Sequence, residues 1–293
     1  MSEALEPVDD AAVDTPRPQA VLLTFLGGYL LRRRVHVATS SLVDVLGRAG
    51  VSEHATRSTV SRMARRGQLH RARRGRQVYV GPTPGTREIL LGGEARMWHS
   101  EVVDAGWDGS WTLLSFSLPD AWARERHLLR ARLVWAGFGP LQGGLWIAPG
   151  RADLGELGEG LGLDGRLRAF TARALEPTDV DGLVRDAWDL PALAARYEAF
   201  LARWGDEATR PRTDPLAAQL LLEADWLQAI RRDPRLPRRH LPGDWPAEPA
   251  HALFRELHDA YGPGARAGVA ALDVLPDAEA EAEAGRGRGG AVD

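Results

Sequence analysis

The sequence predicts an α+β protein with three folded parts: an N-terminal winged helix-turn-helix, a central ferredoxin-like domain and a helical C-terminal domain. Three observations support this class. Helical periodicity followed by two short strands opens the chain, strand and helix patterns alternate from Trp111, and helical periodicity dominates after Pro177. With 293 residues, 44% of them hydrophobic, the chain is long enough to build two or three cores.

Composition sets the expected boundaries. The winged helix-turn-helix is expected at 16–82, a linker helix at 83–105, the ferredoxin-like domain at 106–176 and the helical domain at 177–273. The acidic residues 1–15 and the low-complexity residues 274–293 are predicted to be disordered tails, because such segments bury little apolar surface.

Local signals predict each element of the first domain. Apolar residues at helical spacing follow Pro18 up to Leu30, and a short strand is expected at 35–38. Residues 41–44 match a capping box for a second helix. Ser52 is a favourable N-cap for a third helix that ends near Arg66, with Gly67 as its stop. Strands at 68–73 and 77–80, joined by the basic tip 74–76, complete the wing.

The middle segment has the β-α-β-β-α-β order of a ferredoxin-like unit. Strands are predicted at 111–118, 137–141, 144–148 and 167–175. A helix is predicted to start at Pro119-Asp120 and to reach about Trp135, with a short second helix near 154–161. After Pro177 helices are expected as far as about Leu272, interrupted by loops at 211–215 and 234–249.

Charge is distributed unevenly along the chain. The net charge is −3, yet the segment from Arg17 to Arg76 holds thirteen arginines and two acidic residues, a local charge of +11 that leaves −14 for the rest. A strongly basic head on an acidic body is typical of nucleic-acid binding. Because the chain contains no lysine, the clustering of the arginines is informative and the choice of arginine is not.

The third helix of the head is predicted to carry a DNA-reading strip, because Thr56, Val60 and Met63 share its inward face with 51 and 64. Arg57 and Arg62 are the expected base-reading residues, since an arginine can donate two hydrogen bonds to guanine. The other expected DNA contacts are His54, Ser58, Ser61, Arg65, Arg66, Arg73, Arg74 and Arg76. A solvated helix face with scattered arginines is the alternative, and the order of elements with the local charge favours DNA.

Four stretches of the sequence resemble PaaX-type repressors, the regulators of phenylacetate degradation. They are VLLTFLGGYL…GVSEHATRSTVSRMARRGQLHRARRGRQVYV, LLSFSLPDAWARERHLLRARLVWAGFGPLQGGLWIAP, WDLPALAARYEAFLARW and DPRLPRRHLPGDWP…FRELHDAY, in order from about residue 17 to 272. The resemblance implies a Cas2-like middle domain and a homodimer. It also implies a repressor, released from its operator by an acyl-CoA effector such as phenylacetyl-CoA. A dimer of winged helices would bind a palindromic site in double-stranded DNA.

An effector site is expected in the acidic body, which holds all ten tryptophans. An aromatic-rich body suits an aryl or acyl group, and the phosphates of a CoA ester need cationic partners. The candidate cluster, which contains a single acid, Asp233, is Arg231, Arg232, Arg235, Arg238 and Arg239. The alternative is that these arginines stabilise a helix end.

No enzyme activity, cofactor or metal is expected. Cas2-type nucleases hold a metal with an aspartate at the end of the first strand, where this chain has Ser117, and serine is a poor ligand for divalent cations. Asp120 is predicted to cap the next helix instead. A metal-dependent nuclease that uses the Cas2-like domain is the alternative function, and a structural DNA binder is a weaker one. The acidic N-terminus, the lack of cysteine and the absence of an 18-residue apolar stretch predict a cytoplasmic protein that does not contact membranes.

Overall fold

The computed structural model describes residues 17–98, 101–155, 157, 161–163 and 165–280. Two compact units can be separated. The first combines described residues of Met1–Glu94, Pro211–Ala224 and Asp259–Asp293, and the second those of Ala95–Arg210 and Asp225–His258. The predicted tail at 1–15 and the end of the other, 281–293, lie outside the described residues.

The first unit begins with the predicted helical head. Helix α1 (Pro18–Phe25) continues as a π-helical turn (Leu26–Leu30), and strand β1 (Val35–Ala38) leads into α2 (Thr39–Arg48) and α3 (Glu53–Arg65). Strands β2 (Leu69–Arg74) and β3 (Gln77–Pro82) form the wing, and α4 (Pro84–Met97) follows. Fully buried side chains from α1 and α2, such as Leu22, Phe25 and Leu42, build the core beneath α3.

The wing belongs to a four-stranded antiparallel sheet in the order β2-β3-β1-β8. Its last strand, β8 (Val274–Pro276), pairs with β1 so that Val37 lies opposite Val274 and Val35 opposite Pro276. The prediction that a disordered tail starts at residue 274 is therefore wrong for 274–280. Leu275 is buried, and its apolar contact with the head holds the segment, which composition alone does not reveal.

The capping box predicted at 41–44 is also wrong, because α2 starts two residues earlier, at Thr39, without a side-chain cap. The Ser41 hydroxyl instead accepts a hydrogen bond from the Asp273 amide at 3.3 Å. Thr39 donates its hydroxyl proton to the Val78 carbonyl at 2.9 Å. Both hydroxyls thus connect the start of α2 to neighbouring segments.

The second unit contains the ferredoxin-like sheet. Strand β4 (Ser110–Phe116), helix α5 (Ala123–Trp135), and strands β5 (Gly139–Pro140), β6 (Leu145–Pro149) and β7 (Leu167–Arg173) give an antiparallel sheet ordered β5-β6-β4-β7. Leu129 and Leu133 of α5 pack against Leu114 and Trp146 of the sheet.

Two details of this unit differ from the sequence predictions. Helix α5 starts at Ala123 after Trp122, so Asp120 does not cap it; the Asp120 side chain is fully exposed and lies 3.8 Å from Arg126. The second helix expected near 154–161 falls partly outside the described residues, and the described ones there, 154, 155, 157 and 161, lie in loop and turns.

Helices dominate the rest of the chain: α6 (Val180–Ala187), α7 (Leu190–Trp204), α8 (Pro215–Ile230) and α9 (Ala247–Ala270). Asp179 and Asp189 cap α6 and α7, accepting hydrogen bonds from the amides of residues 182 and 192. In the second unit, Trp226 stacks on Phe254 with ring centroids 4.9 Å apart. Within the described part of the chain, no helix combines the length and apolar character that crossing a membrane requires.

Candidate nucleic-acid interface

A capped N-terminus and an apolar inner face fix the orientation of helix α3. The Ser52 hydroxyl accepts a hydrogen bond from the Ala55 amide at 3.2 Å, as predicted for its N-cap. Thr56, Val60 and Met63 are buried as expected, and Thr59 joins them. The inner face packs on α1 and α2, so the opposite face of α3 meets solvent.

All side chains predicted to contact DNA are exposed. They lie along the outer face and C-terminal end of α3 and on the wing: His54, Arg57, Ser58, Ser61, Arg62, Arg65, Arg66, Arg73, Arg74 and Arg76. Seven of the ten are arginines, and their surface is the one that a duplex would approach through its phosphates.

The two arginines expected to read bases are held by neighbours on α3. Arg57 donates from Nε to Glu53 Oε1 at 2.7 Å, and Arg62 donates from Nη2 to Thr59 Oγ1 at 3.2 Å. Within the described part of the chain, the terminal Nη groups of Arg57 have no hydrogen-bond acceptor. These groups therefore remain available for a guanine or a phosphate.

Arg73 and Arg74 lie at the tip of the wing. Gly75 adopts a φ of +60°, a conformation that favours glycine, and its carbonyl accepts a hydrogen bond from Arg73 Nε at 3.1 Å. Arg74 forms an ion pair with Glu279, with Nη1 3.0 Å from Oε2, and both side chains are more than half exposed. Glu279, which follows β8 in the chain, thus forms an ion pair with an arginine of the predicted interface.

Sequence reasoning missed two members of this surface. Arg71 is exposed two residues before Arg73 on β2, so the alternation of a strand could have identified it. Glu279 could not be identified in this way, because only the pairing of β8 with β1 brings it beside the wing.

A buried polar cluster joins β1, β2 and the residue after β8. His36 Nδ1 lies 2.9 Å from Asp277 Oδ1, and its Nε2 lies 2.9 Å from His70 Nδ1. Arg87 of α4 also contacts the Asp277 carboxylate. Burial lowers the pKa of His36, against the opposing effect of Asp277. This cluster was not predicted, since each of its histidines is isolated in the sequence.

The arginines predicted to bind an effector do not share one environment. Arg231 lies over the Trp135 ring at 5.5 Å, whereas Arg239 lies over Trp107 at 4.2 Å. Arg238 is held by Glu248 at 2.8 Å and by two backbone carbonyls. Arg232 is half-buried, and Arg235 lines a small cleft.

The residues of the nuclease alternative do not converge on a described metal site. Ser117 is exposed beyond the end of β4, and Asp120 is paired only with Arg126 among the described residues. Across the described parts of the chain, no group of three or more histidine, aspartate or glutamate side chains is arranged to hold a metal ion.

Three family models match this sequence in the order of its elements. Residues 17–80 match a model described as a PaaX-like protein, 104–184 one described as the PaaX protein central Cas2-like domain, and 188–271 one described as a PaaX-like protein C-terminal domain.

Two relatives match over most of the chain. The Transcriptional repressor PaaX of Escherichia coli (strain K12) is 26% identical over 266 residues, which cover 85% of this chain and 82% of the relative. The solved structure of the uncharacterized protein Rv0674 from Mycobacterium tuberculosis superposes with a TM-score of 0.58 at 24% identity, covering 87% of this chain and 98% of that one, and shows the same fold. With all three models matched in sequence order, the chain belongs to the PaaX family.

Proposed function

We propose that this protein is a DNA-binding transcriptional regulator that reads duplex DNA with α3 and holds the flanking backbone with its wing. The observation that carries the proposal is the exposed arginine surface of α3 and the wing, on the side of the helix opposite its buried face. A winged helix inserts the outer face of its third helix into the major groove, and the exposed strip here begins at the capped N-terminus of that helix.

Charge supports the same role. The arginine surface lies in the segment with a local charge of +11, in a chain whose net charge is −3. Each arginine that neutralises a phosphate releases a counterion, so binding should weaken steeply as salt is raised. A basic head on an acidic body also limits nonspecific contact of the rest of the chain with DNA.

The regulator is proposed to act in the cytoplasm as a homodimeric repressor of a palindromic operator. The named role of the E. coli relative, which matches 85% of this chain, supports repression. The homodimer is proposed from the family resemblance, and the cytoplasmic location from the composition of the sequence. Two reading helices in such a dimer would lie about 34–36 Å apart, or a multiple of this distance, to match successive turns of the major groove. Release by an aryl- or acyl-CoA effector is proposed from the family resemblance, with the arginines between 231 and 239 as its candidate anion partners.

Selection from a random duplex pool, followed by binding assays on the selected site, tests this function. Arg57→Ala and Arg62→Ala should reduce the preference for the selected site, each by about 1–3 kcal/mol at one base position. Arg74→Ala should weaken all duplexes alike. Arg168→Ala, which removes an exposed arginine from β7 in the second unit, is the matched control and should leave both properties unchanged.

Two results would contradict the proposal. The first is a selected pool without any sequence preference, which would indicate a structural DNA binder. The second is cleavage of the duplex in Mg²⁺ or Mn²⁺ that disappears in Asp120→Ala, which would indicate the metal-dependent nuclease.

A further inference from the structure

Two histidines meet across the sheet that carries the wing. His36 lies on β1 and His70 on β2, and β3 runs between these strands. His70 lies opposite Gly81 of β3, and a Cβ at Gly81 would lie 2.9 Å from three atoms of the His36 ring. The two rings therefore meet over a glycine, with His36 Nε2 2.9 Å from His70 Nδ1. This histidine contact ties the outer strand of the wing to β1.

The partners of the two rings assign the positions of their protons. Asp277 Oδ1 lies 2.9 Å from His36 Nδ1, and the other carboxylate oxygen contacts the Arg87 guanidinium. An ionised carboxylate only accepts hydrogen bonds, so His36 Nδ1 carries a proton and donates it. In the neutral ring, His36 Nε2 is then an acceptor, and His70 Nδ1 must be its donor. The hydrogen bonds run in one direction, from His70 through His36 to Asp277.

This arrangement accepts one additional proton without losing a hydrogen bond. A proton on His70 Nε2 leaves the donor at His70 Nδ1 in place. A proton on His36 Nε2 is accommodated when His70 changes its tautomer and accepts through Nδ1. A second proton is different, because both of the facing nitrogens then carry hydrogen. It also places two positive charges on rings whose centroids are 5.1 Å apart, so the histidine contact must break.

The charged groups that face His36 come from three elements: His70 from β2, Arg87 from α4 and Asp277 from the segment after β8. His36 is 3% exposed, and burial has the largest effect and lowers its pKa. Asp277 opposes burial, whereas His70 and Arg87 add to it. Because the two rings share a hydrogen bond, the second proton enters at a lower pH than the first, below the usual histidine value of about 6.5.

Strand β2 also carries arginines of the predicted DNA surface. Arg73 and Arg74 belong to it, and Arg71, the neighbour of His70, is exposed on it as well. Side chains alternate along a strand, so His70 and Ala72 face inward where Arg71 faces solvent. Ala72 is buried, and its methyl group cannot replace a lost hydrogen bond. The histidine contact thus helps to hold the strand from which the wing arginines project.

We propose that His36 and His70 are positioning residues of the wing, and that a second proton on their contact releases β2 and weakens DNA binding through the wing arginines. The inference rests on the proposed function, because it concerns how the regulator holds DNA. The release of β2 itself does not require DNA, so it can be measured separately.

Hydrogen exchange of the full chain, followed by mass spectrometry between pH 7.5 and 5.0, measures the release without DNA. After correction for the intrinsic effect of pH, peptides from 68–76 should exchange at least tenfold faster at pH 5.0, while those from α1 and α2 keep their protection. His70→Asn places an amide at the position of Nδ1. This amide can donate to a neutral His36 or accept from a charged one, and it takes up no proton. Protection of 68–76 should therefore persist in this variant at pH 5.0.

His127→Asn is the matched control, because it removes an exposed histidine from α5 in the second unit. It should release β2 as the unaltered protein does. Nitrogen-15 shifts of the unaltered chain give a second test that needs no variant. At pH 7.5, His36 and His70 should both carry their proton on Nδ1.

Fluorescence anisotropy with the selected duplex measures the effect on DNA binding. The loss of affinity caused by Arg74→Ala should shrink to about half or less between pH 7.5 and 5.0, because a released wing no longer presents this arginine. In the His70→Asn background the loss should stay constant. Titration of other histidines changes the affinity with and without Arg74 alike, so it cancels in this comparison.

Three results would overturn the assignment: equal exchange of 68–76 in the unaltered protein and in His70→Asn at pH 5.0, a proton on His70 Nε2 instead of Nδ1 at pH 7.5, or an equal loss of protection in α1 and α2, which would show unfolding of the whole unit. Sequence-specific DNA binding without release of β2 contradicts the histidine contact alone. Release of β2 in a protein without sequence-specific DNA binding contradicts the regulator alone.

Discussion

The ion pair between Arg74 and Glu279 predicts that the segment after β8 weakens DNA binding. Arg74 lies on the wing, and its Nη1 is 3.0 Å from Glu279 Oε2. A DNA phosphate that binds Arg74 must first displace this carboxylate. Glu279→Gln keeps the size of the side chain and removes its charge, so it should tighten binding to any duplex.

The expected gain in DNA affinity follows from the solvent exposure of the Arg74–Glu279 ion pair. Both side chains are more than half exposed, at 61% and 53%. Exposed ion pairs contribute about 0.2–1 kcal/mol, and salt screens them. Since 1.4 kcal/mol corresponds to tenfold, releasing Arg74 should raise DNA affinity roughly 1.4- to 5-fold at low salt. A freed Arg74 that gains a full phosphate contact should also steepen the dependence of log K on log salt by up to about 0.9.

Fluorescence anisotropy with one labelled duplex, over a series of salt concentrations, measures both quantities. The variants form a cycle: unaltered protein, Glu279→Gln, Arg74→Ala and the double variant. Glu94→Gln is the matched control, because it also removes an acid that pairs with an exposed arginine, Arg32, at 2.7 Å, and neither residue belongs to the wing. If Glu279 acts through Arg74, the double variant should bind as Arg74→Ala does.

Two outcomes would refute this reasoning. A gain in affinity that is the same for Glu279→Gln and Glu94→Gln would show a general effect of net charge. A gain that persists in the double variant would show that the carboxylate does not act through the wing arginine.

Two further predictions concern the polar cluster of the first unit. A Cβ at Gly81 would lie 2.9 Å from three atoms of the His36 ring. Gly81→Ala should therefore lower the free energy of unfolding by about 1–3 kcal/mol and the melting temperature by roughly 2–10 °C. Gly85→Ala, which has open space around its Cβ, should change neither. Differential scanning calorimetry measures both variants, and equal melting temperatures would contradict the predicted clash with His36. The pKa of His36 is lowered on folding, so the unfolded chain binds more protons and stability should fall as pH drops below about 6.5, by at most about 1.4 kcal/mol per pH unit for one proton. His36→Gln should lose this part of the pH dependence in urea unfolding between pH 7.5 and 5.5. Asp277, His70 and Arg87 are present around residue 36 in both proteins, so parallel stability curves would show that His36 does not titrate.

Local signals explain why most elements could be predicted. The Ser52 cap, the positive φ of Gly67 and the turn at Gly75 are decided by residues within one turn of the chain, and they set the limits of α3 and the wing to within about two residues. The outward direction of the arginines on α3 follows from the same periodicity that buries Val60 and Met63.

Two of the three errors have a common origin. The capping box at 41–44 and the tail from 274 were misjudged because Ser41 and β8 interact with partners more than 200 residues away in the chain. Asp120 looked like a helix cap because an acid followed a proline, yet the helix begins later, at Ala123. For Ser41 and β8, tertiary packing supplied partners that the local sequence pattern could not indicate.

The sequence by itself determined the α+β class, the family, the winged head and the basic outer face of α3, because periodicity, caps and clustered charge are local properties of the chain. Only the tertiary structure decided that Glu279 meets the wing, and that Asp277 and His70 meet His36. These contacts join residues that are distant in sequence. Tertiary packing determines these contacts, and no local sequence pattern predicts them.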